Sequence, residues 1–269
     1  MITSPANKKI REVQNLNRKA SYRRETGLFP AEGERMFFEI PEERIRGLFV
    51  SEHFLKSCRE TSREKLSRIP HEVMEVVADS VFPSLSDTRT PQGVLCLVKA
   101  EEHSLEELLS AENPNLLVLE TIQDPGNLGT MLRAGEAAGL TGIVADRGTA
   151  DLYNPKVIRS TMGSIFRVPM VYVDDLQEAL RAMKQRGIAL CAAHLQGSVA
   201  YDQVSYTGPN AFLIGNEANG LTEETAALSD LRVRIPMLGR VESLNAAVAA
   251  SVLLFELSRQ RRALPQDPA

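Results

Sequence analysis

Three stretches of this 269-residue sequence carry residue types suited to chemistry. The first, ETIQDPGNLGTMLRAGE (120–136), sets a glycine-bearing turn between an apolar run and a segment of helical period. Ligands of α/β sheets bind at such strand ends. Asn127 has the residue type of a helix N-cap. Arg133, about two turns into the helix, is harder to dismiss as structural, although an i+3 surface pair with Glu136 would account for it. The second stretch, FLIGNEANGL (212–221), runs from an apolar strand into a loop. There Gly215 lets a ligand approach the backbone closely, although Gly and Asn also build turns. Glu217 has little structural reason to sit in that loop, and it could accept a hydrogen bond or hold a cationic group. The third, IPMLGRVESLNAAVAAS (235–251), reads as a strand end, an apolar loop and an alanine-rich helix. Ser243 can cap that helix, whereas Asn245 has a weaker structural explanation, being a middling helix former in an apolar first turn.

Nicotinamide and nucleoside-triphosphate readings are weakened. GNLGTMLRAG is not the GxGxxG dinucleotide fingerprint, and no GxxxxGK[ST] phosphate loop occurs in the chain. Cys58, Cys96 and Cys191 are too scattered for a disulfide framework or a zinc pair, and read as buried small apolar residues. His53, His71, His103 and His194 do not cluster with other ligand types, so no metal is expected.

The elements that must position these motifs divide into two sets. Residues 1–100 predict a small α/β domain: a polar helix over about 5–24, strands near 27–31, 45–50, 73–77 and 94–98, and a helix opening at Glu32-Gly33. Pro30 makes the first of these strands an edge, because proline cannot donate to a sheet ladder. Residues 101–112 predict a short acidic helix and linker. From 113 to 269 the apolar runs Leu116–Leu119, Ile143–Ala145, Pro169–Val173, Ile188–Ala193 and Ala211–Ile214 predict strands buried on both faces of a parallel sheet. A long helix over 243–259 closes the chain.

The composition, 43% hydrophobic and 25% charged, is that of a globular protein. The chain lacks both an apolar run long enough to span a bilayer and the apolar core of a signal peptide, which predicts a cytoplasmic location. The net charge of −4 conceals an uneven distribution. Lys8, Lys9, Arg11, Arg18, Lys19, Arg23 and Arg24 face a single acid, Glu12, in the first 24 residues. Such a segment can neutralise phosphates, or it can be a solvated helix face.

Taken in order, NLGTMLRAGEAAG, FLIGNEANGL and IPMLGRVESLNAAVAASVLLFEL resemble the three signature motifs of the SpoU (TrmH-like) methyltransferases of the SPOUT superfamily. The likeness covers about 113–260 and includes NPKVIRSTMGSIFRVP (154–169) between the first two motifs. Residues 1–100, with Ala31-Glu32-Gly33, are similar to the small RNA substrate-binding domain that many ribosomal-RNA members carry. The resemblance implies a trefoil-knotted C-terminal domain, a homodimer with active sites at its interface, and S-adenosylmethionine as cofactor. It also implies catalytic roles for Arg133, Asn127, Glu217, Ser243 and Asn245. Cofactor contacts would come from His194, Gly215, Asn216, Glu217, Ile235, Met237, Ser243, Leu244 and Asn245, and RNA contacts from the seven amino-terminal cations.

The activity so implied is 2′-O-methylation of a ribose in RNA, with the separate amino-terminal domain favouring large-subunit (23S) ribosomal RNA over tRNA. A non-catalytic RNA-binding or ribosome-assembly factor of the same fold is a further reading, against which Arg133 and Asn245 speak. An α/β enzyme acting on a small nucleotide, its basic helix merely solvated, is another. Crosslinking of that helix to RNA separates them.

Overall fold

A computed structural model of the protein describes residues 1–196 and 199–264. The chain divides into two compact units, one of residues 1–101 with 151–166, the other of 102–150 with 167–269.

The first unit contains α1 (Lys8–Arg18), α2 (Ala20–Thr26), β1 (Leu28–Glu32), α3 (Glu34–Glu39), β2 (Ile45–Ser51), α4 (Glu52–Ser57), α5 (Glu60–Arg68), β3 (Met74–Val77) and β4 (Val94–Lys99). Its sheet has the order β1-β4-β2-β3, parallel only between β2 and β3. Pro30 lies on the edge strand β1, as its missing N–H requires. The helix expected over about 5–24 is two helices, broken at Lys19, whose backbone is extended (φ −119°, ψ 110°). At the break Arg23 turns inward and donates to the carbonyls of Leu16 (2.5 Å) and Asn17 (3.4 Å), satisfying the end of α1. Ile10, Val13 and Leu16 form the buried stripe of α1, packed with Phe49, Val77, Phe82 and Leu95.

The second unit contains α6 (Leu105–Leu109), β5 (Asn115–Leu119), α7 (Pro125–Ala138), β6 (Gly142–Asp146), β7 (Met170–Val173), α9 (Leu176–Gln185), β8 (Ala189–Ala193), β9 (Val199–Ala200), β10 (Asn210–Ile214), α10 (Glu223–Leu228), β11 (Leu231–Arg234) and α11 (Ala246–Arg262). The intervening α8 (Pro155–Thr161) packs with the first unit. Among the described residues seven strands form one sheet in the order β7-β6-β5-β10-β8-β11-β9, all pairings parallel. The continuous apolar runs of β5 and β10 are buried throughout, as strands covered on both faces must be. The sequence marks β11 only by its end at Ile235, because Leu-Arg-Val-Arg presents no apolar run. Helix α11 packs on α7 and β10. Among the described residues no helix is long and apolar enough to cross a membrane. Cys58, Cys96 and Cys191 are buried and free, and burial pushes the Cys96 and Cys191 thiols up to about 12, away from any thiolate role.

Candidate active site

The three motifs meet at the carboxyl ends of β5, β10 and β11, on one edge of the sheet. After β10 the chain folds back on itself so tightly that a Cβ on Gly215 would lie 2.1 Å from both the Gly220 carbonyl carbon and the Leu221 nitrogen. Asn216 holds this loop: its Oδ1 accepts from the N–H groups of Ala218 (3.0 Å) and Asn219 (3.1 Å), and its Nδ2 donates to the Thr121 carbonyl (2.8 Å). Thr121 presents that carbonyl from a left-handed backbone (φ 57°), a strained state for a β-branched residue. Asp146 holds it there, accepting from the Thr121 N–H at 2.9 Å and hydroxyl at 2.7 Å. The buried Glu120 carboxylate anchors the other end of the loop, taking the Thr222 N–H and hydroxyl (both 2.8 Å) and the Thr225 hydroxyl (2.5 Å) at the start of α10. Glu120, Thr121 and Asp146 are positioning residues that the sequence reading does not single out.

A continuous hydrogen-bonded chain runs through all three motifs. Asn245 Nδ2 donates to Asn127 Oδ1 (2.9 Å), and Asn127 Nδ2 donates to Glu217 Oε1 (2.9 Å). Glu217 also accepts from the backbone N–H groups of Asp124 (3.1 Å) and Gln123 (3.2 Å). Partial burial pushes the Glu217 carboxyl up, but the bonds donated by Asn127 and the backbone outweigh it and hold the carboxyl below its ordinary range. A carboxyl with a lowered folded pKa stabilises the protein above the ordinary carboxylate range near about 4 and loses that contribution as the pH falls through the folded value. The stability difference between wild type and Glu217→Gln is therefore full at neutral pH, no more than about 1 kcal/mol given the exposure of the group. It shrinks in acid. Urea unfolding over a pH series measures it, and a difference independent of pH would contradict this role for the charge.

Two capping assignments are corrected. Asp124, not Asn127, caps α7, its Oδ1 accepting from Gly126 (2.7 Å) and Asn127 (3.0 Å), so Asn127 sits within the first turn with its side chain free for Glu217. Pro125 at the first helical position is the signal for this, since it favours the preceding residue as cap. Asn245, not Ser243, caps α11, accepting from Ala247 (2.9 Å) and Val248 (3.3 Å), so this residue has a strong structural role as well as its link to Asn127. The i+3 pair of Arg133 with Glu136 does not form either. Glu136 is ion-paired with Arg167, and Arg133 is exposed, with no hydrogen bond or ion pair among the described residues.

Beside the chain of hydrogen bonds lies a cavity of 760 Å³. His194, Gly215, Asn216, Glu217, Ile235, Met237, Ser243 and Leu244 line it, while Asn245 and Arg133 do not. Its remaining wall includes Ala246, Ala249 and Leu253 of α11, small or apolar residues that leave room against the helix. A volume of this size suits a nucleoside-sized ligand, and the mixed wall of backbone polar groups and apolar side chains suits one with both kinds of surface. No group of three or more His, Cys, Asp or Glu able to hold a metal occurs among the described residues. Of the amino-terminal cations, Lys8, Lys9, Arg11, Arg18, Lys19 and Arg24 are exposed, Lys9 pairing with Glu75. Arg23 is buried and paired with Asp151, which removes it from the surface set.

Comparison with known proteins matches residues 114–255 to the SpoU rRNA Methylase family and residues 7–96 to the MRM3-like substrate binding domain. The 23S rRNA (guanosine(2553)-2′-O)-methyltransferase RlmP of Bacillus subtilis is 32% identical over 267 residues, covering 95% of this chain and 98% of its own. Among solved structures, the SpoU methyltransferase AviRb from Streptomyces viridochromogenes, in complex with the cofactor AdoMet, superposes with a TM-score of 0.85 at 28% identity, covering 96% of this chain and all (100%) of its own. The AdoMet-bound rRNA methyltransferase from Sinorhizobium meliloti gives 0.84 at 29% identity, with 98% of each chain covered.

Proposed function

The chain belongs to the SpoU rRNA methylase family, and from that premise we propose that it methylates a ribose 2′-oxygen of large-subunit (23S) ribosomal RNA, with S-adenosylmethionine as methyl donor. The observation that carries the reading is the Asn245–Asn127–Glu217 chain, which ties all three motifs together at the wall of a ligand-sized cavity. Likeness to ribosomal-RNA methyltransferases across both units, the small one included, supports this substrate over tRNA.

The residues present fit S-adenosylmethionine. The Gly215 loop gives close backbone approach, Ile235, Met237 and Leu244 give apolar wall, and Asn216, Glu217 and Ser243 give polar wall. Bound there, the cofactor supplies a methyl group on a positively charged sulfonium. That methyl would pass to the ribose 2′-oxygen, with a neutral thioether as leaving group and the hydroxyl proton lost to solvent. The fixed loops hold the reacting groups in line, which accounts for much of the acceleration. Arg133 binds the phosphate beside the target ribose and stabilises the developing alkoxide. A guanidinium serves by charge rather than as a base, so Arg133 stabilises the oxygen while the hydroxyl proton leaves to solvent as the new bond forms.

Three further features belong to the same proposal. The protein is a homodimer: Val248 and Phe255 are each 47% exposed on α11, seven residues apart on one face, an apolar surface suited to a second copy. The catalytic unit carries the trefoil knot, consistent with the packing of α11 on α7 and β10. The protein works in the cytoplasm, where its ribosomal substrate is.

Lys8, Arg11 and Arg18 lie on the face of α1 opposite Ile10, Val13 and Leu16 and contact RNA phosphates. Reversing Lys8, Lys9 and Arg11 to glutamate is expected to weaken RNA binding about tenfold or more near 0.1 M salt, to flatten its salt dependence, and to leave cofactor affinity intact. Equal loss of both affinities would mean misfolding.

The deciding assay incubates the protein with methyl-labelled S-adenosylmethionine and unmodified large-subunit rRNA, followed by alkaline digestion. A labelled, alkali-resistant dinucleotide establishes ribose methylation, because cleavage needs a free 2′-oxygen. Cofactor binding without transfer points to another RNA such as tRNA. Absence of both points to a non-catalytic RNA-binding factor.

A further inference from the structure

The first unit has a cavity of its own, of 1070 Å³, at the end of the sheet where β1 passes into α3, β2 passes into α4 and β4 begins. We propose that it receives an unpaired nucleotide of the RNA substrate, the base stacking on Phe38 and the phosphate held by Arg35 and Arg59. This rests on the RNA reading above and adds to it a site distinct from the α1 cations.

Phe38 is 38% exposed, whereas its neighbour Phe37 is 1% exposed and belongs to the core. Among the described residues of this unit, only Met1 is a more exposed large apolar side chain. A phenyl ring left open inside a concavity presents a face on which any base can stack. The cations beside it are weakly engaged. Arg35 has no hydrogen bond or ion pair among the described residues, and Arg59 reaches Glu34 only at 3.7 Å while its side chain stays 80% exposed. The acids that line the same cavity are engaged elsewhere: Glu34 takes the Ser62 hydroxyl at 2.5 Å, and Asp79 takes the His53 backbone N–H at 2.9 Å.

The rim is also built. Gly93 has φ +81°, and a Cβ there would lie 2.5 Å from Ser51 Oγ and 2.9 Å from Phe54 Cβ, so the backbone of β4 enters against the start of α4 with no room for a side chain. The Glu34 N–H donates to Gln92 Oε1 (2.9 Å), which fixes that amide and leaves its NH2 group as a donor for a base edge. Helix α1 is tied to the same wall, since Gln14 and Asn17 donate to the carbonyls of Ser84 (2.9 Å) and Leu85 (2.8 Å), next to the cavity-lining Phe82 and Pro83. A strand whose phosphates follow α1 thus has a base pocket within reach. A base paired in a duplex would not enter it, so the occupant is unpaired.

The test measures binding of a large-subunit rRNA fragment to the full-length wild type, Phe38→Ala, Phe38→Tyr and the Arg35→Ala/Arg59→Ala pair. Cofactor affinity and thermal unfolding are followed in parallel. Phe38→Ala is expected to weaken RNA binding about tenfold, Phe38→Tyr to restore it, and the arginine pair to reduce the slope of log affinity against log salt by about 1 to 2. Cofactor affinity and melting should not change. RNA carrying 4-thiouridine should crosslink to the peptide containing residues 34–39. Wild-type RNA affinity in Phe38→Ala, or crosslinks confined to α1, would overturn the pocket while leaving the RNA reading intact. A wild type that binds no rRNA would overturn both.

Discussion

Replacing Arg133 with alanine is expected to lower kcat for methyl transfer by about 100-fold or more, with S-adenosylmethionine affinity unchanged. The side chain is exposed, makes no internal hydrogen bond or ion pair among the described residues, and does not line the cavity proposed for the cofactor. Its removal therefore takes nothing from the fold beyond the few tenths of a kcal/mol typical of a surface site, and nothing from cofactor binding. What it takes away is a planar cation able to bind phosphate at two points and meet the charge that develops on the ribose oxygen. Arg133→Lys keeps the charge but not the fork, and is expected to recover only a small part of the rate. Single-turnover transfer, measured beside cofactor titration and thermal melting, separates these effects. Near-normal turnover by the lysine variant would refute the two-point role, and lost cofactor binding in either variant would place the arginine in the cofactor site instead.

The contrast between Arg133 and Arg23 shows what a sequence can and cannot convey. Both are arginines on helices, and spacing alone treats them as surface cations. Arg23 is buried because a distant residue, Asp151, and the carbonyls closing α1 satisfy its guanidinium, and neither partner is visible in the local pattern. The strands were readable because burial on both faces demands continuous apolar runs, and β5 and β10 have them. Pro30 marked an edge because its chemistry permits little else. Capping was less readable: Asp124, Asn127, Ser243 and Asn245 are all good cap types, and which one caps depends on where the backbone turns helical. The site's support was least readable of all. Glu120, Thr121 and Asp146 act through contacts across 25 to 105 positions of sequence, so nothing in their immediate neighbours sets them apart.

Gly215→Ala is expected to weaken S-adenosylmethionine binding by about 100-fold or more, because the added methyl has nowhere to go. Its Cβ would lie 2.1 Å from the Gly220 carbonyl carbon and the Leu221 nitrogen, backbone atoms that no rotamer change can move aside. The loop must open. Opening breaks the Asn216–Gly220 bridge and pulls Asn216 from the Thr121 carbonyl, and with them goes the wall that Gly215, Asn216 and Glu217 give the cavity. Overpacking of this kind typically costs about 1–3 kcal/mol of stability, so a lowered melting temperature should accompany the lost affinity. Gly239 provides the control within the third motif: a Cβ there meets nothing within 4 Å, so Gly239→Ala should bind cofactor within a few-fold of wild type. Calorimetric titration of both variants decides the matter. Normal binding by Gly215→Ala would mean that the loop yields without loss and that its tight fold does not shape the cofactor site. Loss in that variant alone would make the close backbone approach after β10 the feature that holds S-adenosylmethionine, with the Glu217–Asn127–Asn245 chain keeping the loop in register with the two other motifs.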